Sequence, residues 1–477
     1  MDYYYEDYNY DNNYIDYDDE DVELFPWTFQ TTLSECIIPS GKQILSYIGT
    51  LIGCCLVFRF VCSIAKHQQR YKVMHMVSLI TGFVALFFTL GFQCLIVVFL
   101  CLISYTTMLI GQYFNWRSYG LKLTITTIAS HILFELLWNK TDEWQRIRGL
   151  QMISAMKIIS LAFDLKQNDK NEENISSIPG LIPFFGYIFN PATSALGPWI
   201  SYSAYLRSIQ FVHKGYRWLY WTVLNAVLAI AFLSLSDCLV PITLSHSSWK
   251  WMLTYRDALS VRCSQYFICF LSQATVAAAG IVPYNDGRPN SALGYLVCKP
   301  WEIEFPRSLT SVVRSWNLPM HKWLKIYMFR PMHNRYKNYL IAIIFTYIAS
   351  SLLHGVHLKI YYVLFSLGFF AITENMLRLK LATIFNACVA ANPCQKPCKY
   401  RNCYSYGWNS NTLIVAVINV IFSILTTVHL AYLGVMMSET NLEQRDNHFT
   451  NLLTKWHNLY FFSHWFYFAN LLFYYII

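Results

Sequence analysis

The sequence predicts an all-α, polytopic membrane protein of about ten to eleven transmembrane helices, with re-entrant and interfacial helices around a central tunnel. Three observations predict it. Only 13% of the 477 residues are charged, about half of the roughly 25% found in soluble domains. Hydrophobic residues make up 55% and aromatic residues 17%, with a mean hydropathy of +0.32. From Lys42 onward, long apolar runs alternate with short polar breaks. Each run can cover a hydrocarbon core of roughly 20 helical residues, and lipid offers the backbone no partner outside a helix. An ordinary cytosolic enzyme and a disordered chain are both excluded.

The elements follow in chain order. Residues 1–41 hold eleven acidic residues and no Lys or Arg; seven Tyr stand among the acids of the first 23. Like charges repel and no apolar period is present, so this segment is read as a disordered acidic tail, with 42–477 as one multi-span domain. Apolar runs then cover about 44–64, 74–90, 92–111, 121–138, 217–240, 263–283, 338–353, 355–373, 412–437 and 456–477. Only Gly91 separates the second run from the third, which predicts a tight hairpin there. Segments 150–165, 305–316 and 321–329 mix apolar residues with charge or Trp and read as interfacial or re-entrant helices. Within the first of these, Lys157 and Asp164 are seven apart and share a helical face. Residues 166–180 are polar and form an aqueous loop.

Charge and cysteine narrow the function classes. Without the tail, 36 basic residues face 16 acidic ones, a balance suited to loops that meet anionic lipid and cytosolic cofactors. The bases are scattered singly between apolar runs, so no nucleic-acid patch is formed. Most of the 14 Cys lie inside apolar runs and make no small secreted disulfide framework. Four of them, Cys388, Cys394, Cys398 and Cys403, cluster in one loop. On a luminal face such a loop favours disulfides; on a cytosolic face it favours a metal site or S-acylation. Lys380, Lys396, Lys399 and Arg401 point to the cytosolic face. Asn139 and Asn174 open glycosylation sequons, and Arg59, Glu135, Asp237 and Glu374 are charges in or beside spans. Each of those four belongs either to a cavity or to a helix end.

The chemistry concentrates between Arg314 and Arg401. Asn317 precedes Leu318-Pro319, so it sits where the backbone changes direction, at a helix start. Residues 338–358 form a span ending in Ser350, Ser351, His354 and Gly355. An ionisable group at membrane depth normally lines a cavity, and imidazole is the usual general base near neutral pH. The competing reading of His354 is a helix-to-helix hydrogen bond. The 37 residues from Asn317 to His354 are enough for an interfacial helix plus one span, which lets both converge on one cavity. His321, His333, His429 and His464 read as structural hydrogen-bonders, and His354 with His357 as too sparse a pair for a metal.

The order R-x-W-N-x-P-M-H-K-W from Arg314, then an apolar span ending S-x-L-H-G at Gly355, resembles the membrane-bound O-acyltransferase family. The likeness continues through E-N-x-L-R-x-K-L-A from Glu374, the Cys388, Cys394 and Cys398 spacing, His429–Gly434, and the Lys455-Trp-His and Ser463-His-Trp blocks. It is strongest to members that acylate a serine of Wnt proteins. The resemblance implies that His354 is the catalytic histidine and Asn317 the second signature residue. It implies transfer of a monounsaturated C16 acyl group from acyl-CoA, as co-substrate, to a Wnt serine at the endoplasmic reticulum membrane, with no cofactor and no catalytic metal. His354 would take the serine proton and Asn317 would hold substrate or stabilise the oxyanion. Trp316, Lys322, Tyr327, Tyr347, Ser350 and Ser351 are candidate substrate-binding residues. For Lys322, with Lys325 and Arg330, lipid phosphates compete with CoA phosphates as the partner; for the aromatics, helix packing competes with the acyl or peptide path. The rival functions are a family member with another protein or lipid acceptor, and a transporter. No inverted repeat supports the transporter.

Overall fold

A computed structural model of the chain describes residues 29–67, 70–116, 119–138, 142–165, 177–210, 216–244, 249–281, 284–285, 288–289, 295–394, 397–403, 410–438 and 453–477. The acidic tail through residue 28, Lys396 and both sequon asparagines lie outside them. Residues 29–41, read as part of that tail, are helical.

The chain opens with α1 (Phe29–Thr32), which passes through a π-helical turn, Leu33–Ile37, into α2 (Ile38–His67). A 3-10 turn with Gly91 at φ +60° joins α3 (Tyr71–Leu90) to α4 (Cys94–Tyr113). Next come α5 (Tyr119–Trp138), α6 (Asp142–Asp164), α7 (Leu181–Ile188), α8 (Tyr202–Gln210), α9 (Arg217–Ser234), α10 (Val240–Thr243) and α11 (Lys250–Ala279). A two-residue antiparallel ladder, Tyr284–Asn285 against Arg288–Pro289, precedes α12 (Pro300–Glu304), α13 (Leu309–Trp316) and α14 (Leu318–Trp323). After a π-helical stretch, Leu324–Phe329, follow α15 (Arg330–Tyr336), α16 (Tyr339–Leu353), α17 (Leu358–Ile384), α18 (Ser410–Gly434), α19 (Thr454–Asn458) and α20 (Phe462–Ile476).

This is the all-α polytopic architecture the composition requires. Among the described residues, six helical stretches are long and apolar enough to cross a membrane: Leu33–Lys66, Tyr71–Tyr113, Tyr119–Leu137, Arg217–Thr243, Leu358–Ile384 and Ser410–Met437. The remaining sequence runs differ for identifiable reasons. The run at 263–283 begins inside α11, which starts at Lys250, ends at Ala279 and carries Arg256, Asp257 and Arg262. The run at 456–477 breaks at Tyr460 and Phe461, both at positive φ. Within 150–165, read as an interfacial or re-entrant helix, Ile153, Ala155, Ile158, Ile159, Leu161 and Ala162 of α6 are all buried in protein.

The outer surface is apolar, unlike that of a soluble protein, and the apolar interior also holds polar groups. Phe60, Phe88, Phe99, Ile125, Val227 and Ile424 point outward, where lipid accepts them without cost, while the interior holds Ser, Thr, Cys and paired charge. Lys157 is fully buried and donates to the carbonyls of Tyr187 and Ile188, at the end of α7, and to Thr193 Oγ1. A cation on terminal helix carbonyls is electrostatically favoured. Asp164 instead accepts from Tyr327 Oη at 3.0 Å, so the two charges on one face of α6 tie down different neighbours. Arg262 of α11 donates to both carboxylate oxygens of Glu304, which also accepts from Tyr266 Oη. A disulfide joins Cys36 to Cys238.

Candidate active site

His354 caps the C-terminus of α16 and leads into a tight turn before α17. Gly355 there takes φ +80°, a conformation that costs an L side chain energy. Glu135, buried on α5, fills the space beside it: a Cβ on Gly355 would overlap the carboxylate, lying 2.8 Å from Glu135 Cδ. One Glu135 oxygen accepts the Val356 amide at 2.7 Å and the other accepts Arg148 Nη2 at 3.2 Å. The carboxylate therefore clamps the residue after the glycine, and the turn presents a half-buried His354 ring whose ionisable neighbours are Arg148 and His357.

Asn317 is both the C-cap of α13 and the N-cap of α14, with extended backbone at φ −147°. Its Oδ1 accepts the Met320 amide at 3.1 Å, which meets one of the orphan donors of the helix start. The Leu318 amide donates to Val297 O at 2.8 Å. Because the cap uses the oxygen, the Nδ2 group remains to donate to a ligand.

The mounting of these two residues converges on α17. The start of α13 is held by Glu374 of α17, which accepts the Leu309 amide at 2.9 Å, and by the Ser308–Ser311 capping box. Arg378, one turn on, pairs with Glu374 and donates to Arg307 O. The same helix begins directly after the His354 turn. Asn317 and His354 also border one apolar cluster: Met320 beyond the cap and Leu353 before the histidine pack with Met156, Ile159, Trp323 and Tyr327.

The other predicted site residues divide. Tyr327 is buried and, with Phe163, Met328 and Phe345, lines a cavity of about 370 Å³ that has Arg335 among its walls. His354 and Asn317 are not among those walls. Tyr347 lays its ring over Gly368 of α17, a packing role. Ser351 donates to Tyr347 O within its own helix and Ser350 is buried beside it. Trp316 packs against Tyr266. Lys322, Lys325 and Arg330 are exposed. His429 bonds Ser463, and His464 bonds both Ser366 and Tyr432, as structural histidines do. The residues missed by sequence reasoning are the partners of Glu135, Glu374 and Arg262, because nothing local marks a pairing across 221, 65 or 42 residues.

Residues 155–417 match the family model of the membrane-bound O-acyltransferases, a stretch that contains both signature residues. The chain belongs to the membrane-bound O-acyltransferase family. Relatives of this acyltransferase extend the match beyond that stretch. It is 33% identical over 449 residues to the protein-serine O-palmitoleoyltransferase porcupine of Drosophila melanogaster, covering 91% of this chain and 84% of that one. Identity to the Homo sapiens protein of the same name is 31% over 476 residues, covering 94% and 98%. The Anopheles gambiae protein, also so named, is 33% identical over 515 residues, across the full length of both.

Proposed function

We propose that this membrane-bound O-acyltransferase moves a palmitoleoyl group from acyl-CoA to a serine hydroxyl of Wnt proteins at the endoplasmic reticulum membrane. The observation that carries this reading is the full-length likeness to relatives named protein-serine O-palmitoleoyltransferase. The geometry around His354 supports the chemistry. The thioester is already activated, so the protein must deprotonate the acceptor and stabilise charge on the carbonyl oxygen. His354 takes the serine proton as the oxygen attacks the thioester carbon. The Asn317 Nδ2 group donates to the developing oxyanion, an interaction worth roughly 3 kcal/mol in a water-poor site. Collapse of the tetrahedral species breaks the carbon–sulfur bond, and the His354 proton goes to the departing CoA thiolate.

The test uses the purified full-length protein in detergent, palmitoleoyl-CoA and a Wnt-derived peptide. Acyl transfer is expected to the peptide with serine and not to its Ser→Ala counterpart, with release of one CoA thiol per ester formed. Transfer to the alanine peptide would overturn the acceptor assignment. CoA release unchanged in His354→Ala would overturn the base assignment.

A further inference from the structure

We propose that Cys388, Cys394, Cys398 and Cys403 bind one structural zinc ion as four thiolates. Their Sγ atoms all lie within 4.8 Å of one another, and those of Cys394 and Cys403 are 3.5 Å apart. A tetrahedral site with zinc–sulfur bonds of about 2.3 Å has sulfur–sulfur edges of about 3.8 Å. A disulfide needs about 2.05 Å, and none of the four cysteines is in one. Four thiolates around one centre are therefore nearly in place.

The backbone builds the site. A parallel bridge sets Ala387 beside Asn402, and the Cys388 amide donates to Asn402 O at 2.9 Å. This brings Cys388 next to Cys403 across fourteen intervening residues. Binding displaces the four thiol protons and leaves a site of net charge −2. Arg307 offsets that charge: its guanidinium donates to Cys388 O at 2.9 Å and lies 3.8 Å from Cys388 Sγ. Lys399 and Arg401 are in the loop itself.

The two thiol chemistries of the chain fall at opposite ends of one helix. The Cys36–Cys238 disulfide lies beside Ser236, whose backbone and hydroxyl bond those of Ser260 on α11. Ala258 of that helix packs on Gly434, the last residue of α18. The cysteine cluster lies at the other end of α18, where Asn419 donates to Cys388 O and Val415 packs against the loop. The 25 residues of α18 extend about 37 Å, a membrane thickness. A disulfide at one end marks the oxidising side, so the cluster faces the reducing side, where thiolates remain available to metal.

The site is structural because the loop carries the mount of Asn317. Ser308 donates to Ala391 O at 3.0 Å, Arg378 to Val389 O at 2.8 Å, and Arg314 bonds Asn392. These bonds hold both ends of α13. Metal in the loop rigidifies that helix.

The test is the metal content of the full-length protein, purified in detergent with a tag that binds no metal and without chelators. Mass spectrometry of the elements is expected to find about one zinc per chain, and less than about a tenth of that in Cys394→Ser/Cys403→Ser. Cys403→His is expected to keep the metal in a Cys3His site. Wild type without zinc, or the double-serine variant with unchanged zinc, would overturn the proposal, as would a disulfide or an acyl thioester found on these cysteines by peptide mapping. Should the double variant not fold, cobalt exchange into wild type decides: a tetrahedral cobalt–thiolate absorption supports the site and its absence overturns it.

Discussion

Gly355→Ala is the substitution that bears hardest on the His354 turn. Residue 355 sits at φ +80°, and holding an alanine there costs about 1–2 kcal/mol. The added carbon would overlap the buried Glu135 carboxylate, so the turn or the carboxylate must move. Movement of the carboxylate strains its hydrogen bonds from the Val356 amide and Arg148, each of the charged type worth about 1.5–3 kcal/mol. Movement of the turn displaces His354, and a shift of about 1 Å at a reacting group costs on the order of 100-fold in rate. Either route predicts a fall in kcat/KM of roughly 100-fold, with the KM for acyl-CoA little changed. The assay is steady-state transfer to a serine peptide by protein that elutes as wild type on size exclusion. Activity of Gly355→Ala within about threefold of wild type, a difference under about 0.7 kcal/mol, would show that the His354 turn does not depend on Gly355.

Further predictions follow from the buried network and the disulfide. Glu135→Gln keeps an acceptor for Val356 but loses the charge facing Arg148, so kcat/KM is expected to fall about tenfold, and Glu135→Ala to fall further, both read in the same assay. Lys157→Met removes the donor shared by the Tyr187 and Ile188 carbonyls and Thr193 Oγ1; thermal unfolding in detergent should show a loss of about 3–9 kcal/mol, from about 1–3 kcal/mol for each of the three acceptors. Cys36→Ser opens the Cys36–Cys238 link and is expected to lower stability by about 2–4 kcal/mol while turnover stays near wild type. In the unsubstituted protein both thiols should resist maleimide until a reductant is added.

The helices were legible where one period governed them, and hidden where charge was buried in pairs. Arg256, Asp257 and Arg262 interrupt the apolar sequence of α11, so the apolar run starts only at 263, yet Glu304 pairs Arg262 within the protein. The partners of Lys157 in α6 are backbone carbonyls, which leave no sequence mark. Asn317 was legible as a helix start from the following Leu-Pro, and the structure shows it capping α14. His354 was legible as a polar residue at the end of an apolar span. The carboxylate that clamps its turn comes from α5, 221 residues from Val356, and no local pattern announces such a pairing. The four-cysteine loop was visible as a cluster; that its sulfurs converge depends on the bridge between Ala387 and Asn402, a long-range register.

The proposed function turns on whether His354 is needed to acylate a Wnt serine. The decisive measurement is tandem mass spectrometry of a Wnt protein secreted from cells that lack their own acylating activity and express this chain. Wild type is expected to place palmitoleate as an ester on one serine of the Wnt protein, and His354→Ala, expressed to the same level in the membrane, to leave that serine bare. A Wnt serine still acylated with His354→Ala, or bare with wild type, would contradict the account.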